Sequence, residues 1–154
     1  MDDHVEITNL IYTYAERIDL GDFHGVGQLF EHAEVTAEPG EAVPNAGSAA
    51  VTEMFTMWTK RYPSAVNPSG FTLNTKHVTT NVQVYLDQSG ETARTRSYFT
   101  VFMQTDTLPL QPIIAGRYHD EFRKIDGAWW FTRRHMITDL VGDLSEHLLL
   151  SLGG

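Results

Sequence analysis

The chain has 154 residues, no cysteine, and 11 basic against 20 acidic residues, a net charge of −9. Those values exclude disulfides, thiolate nucleophiles and thiolate zinc sites. They also argue against a nucleic-acid partner, because phosphates need clustered cations and here the cations are scattered, standing together only in pairs such as Arg133-Arg134.

The apolar share of 42%, with 8 Phe, 6 Tyr and 3 Trp, suits one domain with a sizeable core. No stretch approaches the ~18 apolar residues of a membrane span. The acidic start Met1-Asp2-Asp3-His4 has no apolar run behind it, so a signal peptide is not expected and a cytoplasmic location is.

Ile7, Leu10, Ile11, Tyr14 and Ile18 recur at helical spacing from Val5 to Ile18. Gly21 ends that helix, and Asp22 caps a short second one running through Phe30. A strand and a Gly/Pro-rich loop fill 31–47. Ser48 is the expected N-cap of a third helix over 49–62, carrying Met54, Phe55 and Trp58.

Strands then dominate. Residues 75–86 alternate, with Val78, Val82, Val84 and Leu86 on one face; 91–104 returns after the turn Asp87-Gln88-Ser89-Gly90. Residues 113–125 and 128–138 form a hairpin about Asp126-Gly127, a dipeptide suited to the positive φ of a type I′ turn. From Leu140 to Leu152, Val141, Leu144, Leu148 and Leu152 share one helical face. Helices first and a strand meander after them read as α+β. The expected organisation is one domain over 1–140 and an amphipathic tail over 141–154. That tail has no evident partner in its own domain, so a homodimer or homotrimer is expected.

A two-residue turn at 126–127 pairs Asp120 with Arg133, Phe122 with Phe131, and Tyr118 with His135. One aromatic face then carries an acid, an arginine, a tyrosine and a histidine, with Asp120–Arg133 as its buried ion pair. Opposite the valines of 75–86 stand His77, Thr79, Asn81, Gln83 and Tyr85, without Lys or Glu, as suits a wet pocket or an interface. The turn at 87–90 sets His77 against Thr100 with Tyr98 diagonal; a slip of one residue would bring Phe99 and Val101 there instead.

Tyr14, Asp19 and His77 form the first candidate constellation. An imidazole oriented by a carboxylate suits proton abstraction next to a carbonyl, and a phenol can stabilise the enolate oxygen. In the structural alternative Tyr14 is core, Asp19 caps the Gly21 turn and His77 bonds backbone. Tyr118, Asp120, Arg133 and His135 form the second, with an ion pair as its structural alternative. His32-x-Glu34 and His119-x-Glu121 gather no further metal ligands, and His-Glu-x-x-His is absent. Gly-x-Gly-x-x-Gly, Walker and Gly-x-Ser-x-Gly patterns are absent too. Neither a metal nor a cofactor is expected.

The order of Tyr14 and Ile18-Asp19-Leu20-Gly21-Asp22, Leu29-Phe30, His77 and Asn81, and Ser97-Tyr98-Phe99 is distinctive. Gly116-Arg117-Tyr118-His119-Asp120-Glu121-Phe122, Gly127-Ala128-Trp129-Trp130-Phe131 and Arg133-Arg134 complete it. The series resembles the SnoaL-like branch of the nuclear transport factor 2 (NTF2) superfamily from about residue 3 to 140. The resemblance implies a cone-shaped α+β barrel, a curved antiparallel sheet on three N-terminal helices around one apolar cavity. It further implies cofactor-free dehydratases, cyclases or isomerases acting on polyketides, steroids or related ring compounds. Non-catalytic binders and the small subunits of ring-hydroxylating dioxygenases are the alternative.

Tyr14, Asp19 and His77 match the helix-one tyrosine and aspartate and the strand histidine of scytalone dehydratase and bile-acid 7α-dehydratase. By resemblance His77 is the base, Asp19 orients it, and Tyr14 polarises a substrate carbonyl. Tyr98, Thr100, Tyr118, Phe122, Phe131, His135 and Trp58 are the expected binding residues for an apolar substrate. One departure stands out: the strand after His77 offers Tyr98, Thr100 and Phe102 where those enzymes place a second His or Asp, leaving His135 as a substitute.

Overall fold

The computed structural model describes residues 2–40 and 43–150. Helix α1 (Asp3–Asp19) is capped by the Asp2 carboxylate, which accepts from the His4 amide, and buries Ile7, Ile11, Tyr14 and Ile18. At Gly21 the chain turns with φ +69°, and an added Cβ would stand 2.9 Å from that of Phe71. Asp22 then caps α2 (Phe23–Leu29) by accepting from the Gly25 amide, as expected. Helix α3 (Gly47–Trp58) differs from expectation: it starts earlier, has Ala46 rather than Ser48 at its N-cap, and stops at Trp58.

The strands are β1 (Glu34–Glu38), β2 (Asn45–Ala46), β3 (Tyr62–Pro63), β4 (Phe71–Thr72), β5 (Thr75–Leu86), β6 (Thr92–Met103), β7 (Gln111–Ile125) and β8 (Ala128–Val141). Six form a sheet in the order β2-β1-β8-β7-β6-β5. Only the β1–β8 pair is parallel. The sheet does not close, since β2 and β5 remain its edges. Helix α1 packs against β5 and β8, so one sheet face and three helices enclose the core. The fold is the expected α+β arrangement.

Two bulges decide which side chains face inward. The turn at Asp126 (φ +50°) and Gly127 (φ +83°) is as expected, and pairing follows it as far as Phe122–Phe131. A bulge after Phe131 then shifts the register, setting Asp120 against Arg134, Glu121 against Arg133 and His119 against His135. The inward cation is therefore Arg134, fully buried, and not Arg133. In β5 the register slips to His77–Val101, and a second bulge follows around Asn81, which has φ +53°. Thr75, His77 and Thr79 face inward before it, Val82 and Val84 after it, and Val78 is left outside.

The expected tail helix is absent among the described residues. After Val141 the chain turns at Ser145–His147 and returns to the end of α3. There the Lys60 amide donates to the His147 carbonyl at 2.8 Å, and the Leu149 amide to the Trp58 carbonyl at 2.8 Å. Glu146 anchors this segment, accepting from the Tyr62 hydroxyl at 3.0 Å and from Thr107. Leu144 and Leu148 pack within their own chain, which removes the reason for assigning them to a neighbouring copy. Leu152 lies outside the described residues.

Candidate active site

Between the helices and the inner sheet face lies a mainly apolar cavity of about 160 Å³. Met54, Phe55 and Trp58 of α3 form one wall, and Phe99, Val101, Ile114 and Met136 of the sheet another. Tyr14, His77, Tyr118 and Thr138 bring polar atoms, while His147 and Leu148 come from the returning tail.

Asp19 and His77 meet because α1 ends where β5 begins. The Asp19 carboxylate accepts from His77 Nδ1 at 2.6 Å, the His77 amide at 3.0 Å and the Thr75 hydroxyl at 2.7 Å. Three donors hold the acid in one orientation, and their side chains are nearly buried (8% exposed for His77, 11% for Asp19). A carboxylate at Nδ1 places the ring proton there and leaves Nε2 with its lone pair, the tautomer of a base.

Tyr14 stands with its ring centroid 6.5 Å from that of His77 and 6.0 Å from that of Tyr118. Burial pushes both phenol pKa values up, and the nearby Arg134 charge pulls them partly back. Both hydroxyls are therefore neutral donors at ordinary pH. Behind the pair the Arg134 guanidinium lies 4.3 Å from the Tyr14 ring and 3.7 Å from the Tyr118 ring. Asp120 accepts from its Nε at 2.8 Å and its Nη2 at 2.9 Å, with both side chains at 0% exposure.

The structure brings together Tyr14, Asp19, His77, Trp58 and Tyr118 and sets the other expected binding residues apart. Tyr98 is 52% exposed on the outer sheet face, and Thr100 alternates with cavity-lining Phe99 and Val101; the register slip accounts for both. Phe122 and Phe131 pack on each other at 4.7 Å, and Phe131 on Phe30 at 4.9 Å, within the core and off the cavity wall. His135 is turned outward by the β8 bulge and bonds Thr36 Oγ1 at 2.6 Å and Glu38 at 2.8 Å. It is not the substitute acid–base group.

His147 was missed, because the leucine spacing around it reads as a helix. Its signal was a single histidine set between Leu144 and Leu148-Leu149-Leu150. The ring is 7% exposed and lies 6.3 Å, centroid to centroid, from His77. Its Nδ1 is buried without a hydrogen-bond partner among the described residues, a state that costs about 1–3 kcal/mol. Burial, and then the neighbouring His77, push its pKa down to about 4, so it is neutral at pH 7.

The profile of the SnoaL-like domain matches residues 1–135. Solved structures share the fold. A cystatin-like-fold protein of unknown function from Nostoc punctiforme superposes with a TM-score of 0.71 at 20% identity, covering 92% of this chain and 95% of its own. A protein provisionally assigned as a scytalone dehydratase, from Novosphingobium aromaticivorans, gives 0.68 at 23% identity, over 92% and 87%. An NTF2-like protein from the same organism gives 0.67 at 20%, over 88% and 81%. A search of curated proteins finds no match.

Proposed function

The chain belongs to the SnoaL-like domain family, and on that premise we propose a cofactor-independent lyase or isomerase acting on an apolar ring ketone or hydroxy-ketone. The observation that carries this reading is the Asp19–His77 pair, 2.6 Å apart in the wall of an apolar cavity beside Tyr14. His77 Nε2 takes a proton α to the carbonyl. Charge then develops on the carbonyl oxygen, where the neutral Tyr14 hydroxyl donates a hydrogen bond. The imidazolium, stabilised by Asp19, returns the proton elsewhere on the substrate or to a departing group. Trp58 and Tyr118 supply apolar and edge contacts to the ring.

The half-reaction can be measured without the natural substrate. The protein should accelerate exchange of the α-hydrogens of cyclohexanone in D₂O, followed by proton NMR. Replacing His77 by Ala should remove ~10²–10⁴-fold of that acceleration while the fold is kept. Wild-type protein that binds the ketone without accelerating exchange would instead identify a non-catalytic binder using the same cavity.

A further inference from the structure

We propose that His147, delivered by the returning C-terminal segment, is the second polar group of the site and binds the hydroxyl of a hydroxy-ketone substrate beside His77. The inference rests on reading the cavity as a ring-ketone site. Strand β6 contributes only Phe99 and Val101 to the cavity, so the strand after His77 supplies no second acid–base group. His147 instead brings a polar side chain to the cavity from a different element. Its ring stands 6.3 Å from that of His77, close enough for both imidazoles to reach neighbouring atoms of one small ligand.

The chemistry of the ring supports a binding role. His77 Nδ1 is committed to Asp19, whereas His147 has a buried nitrogen without a partner among the described residues. The ring itself lines the cavity, where a ligand oxygen can meet an imidazole that no protein group among the described residues hydrogen-bonds. Burial lowers the pKa of this imidazole and keeps it neutral, which suits it to hold an oxygen. In a dehydration, His77 takes the α proton and the C–H electron pair passes into the enolate. That pair then forms the C=C bond as the β C–O bond breaks. The oxygen leaves as water, carrying the proton returned by the His77 imidazolium. His147 hydrogen-bonds that oxygen throughout and ends unchanged.

The cavity volume selects the probe, since about 150 Å³ of apolar space holds one benzene ring. Affinities for cyclohexanone and 3-hydroxycyclohexanone are measured by calorimetry on wild type, His147→Phe, His147→Gln and His147→Asn, with thermal midpoints as folding controls. Wild type should prefer the hydroxylated ketone about tenfold. The preference should vanish in the Phe variant and persist in part in the Gln variant. Asn, too short to reach, replaces Phe in the comparison if the Phe variant does not fold. The ¹⁵N signal of the His147 ring should shift with 3-hydroxycyclohexanone and not with cyclohexanone. Equal binding of both ketones by wild type, or an undiminished preference in the folded Phe variant, overturns this inference alone. Binding of neither ketone overturns the ring-ketone reading and this inference with it.

Discussion

Removing the Asp120 carboxylate tests whether the ion pair behind the two tyrosines shapes the site. Arg134 is fully buried and keeps its charge, because Asp120 beside it holds the guanidinium pKa above the arginine range. In Asp120→Ala the cation is left against two aromatic rings with two hydrogen bonds gone, at a cost of about 3–5 kcal/mol. In a chain of this length that lowers the melting midpoint by about 6–20 °C. Substituting Asp120→Leu and Arg134→Met together exchanges the pair for apolar volume and should recover most of the loss, since buried pairs are often replaceable in this way. Urea denaturation followed by tryptophan fluorescence measures both variants. A single variant within about 1 kcal/mol of wild type, or a double variant as unstable as the single, would refute the account.

Replacing Tyr14 by Phe should keep the fold and slow ketone exchange by ~10²–10³-fold, read in the same D₂O assay. Gly116→Ala should destabilise by about 1–3 kcal/mol, because the new Cβ meets the Ile137 carbonyl and stands 2.9 Å from the Phe99 ring; thermal melts would show it. His147 gives a signed pH dependence. Its folded pKa of about 4 lies below the unfolded 6.5, so the unfolded chain binds the proton first. Wild type should therefore lose about 2–3 kcal/mol between pH 6.5 and 4 that His147→Gln does not lose, with full stability above pH 6.5. Parallel acid-limb curves for the two proteins would contradict the burial of that ring.

The α+β architecture, the Asp22 cap and the hairpin at Asp126-Gly127 were legible because each rests on local chemistry. So was the Asp19–His77 contact, through the family pattern. The losses in the facing of β5 and β8 trace to bulges. Strict alternation from the turn selects Arg133 as the partner of Asp120, and one extra residue near Thr132 makes it Arg134. The same step turns His135 outward. Around Asn81 a residue with positive φ exchanges the two faces of β5, so the valines do not form the single inner row their spacing suggests. Nothing in residue type distinguishes a strand that bulges from one that does not until its neighbours are placed. The tail failed for another reason: a four-residue leucine interval fits a helix face and also a turn followed by a bridge, and contact with Trp58 and Thr59 decides it.

Asp19 serves two masters. Besides fixing the imidazole it clasps the exit of α1 to the first turns of chain in β5, through the Thr75 hydroxyl and the His77 amide. His77 has no comparable second duty. A lineage selected only to carry a ligand would thus be free to discard the histidine while the aspartate stayed, held by folding alone. Loss of the imidazole alone would therefore leave the junction of α1 and β5 clasped, whereas loss of the acid would undo both.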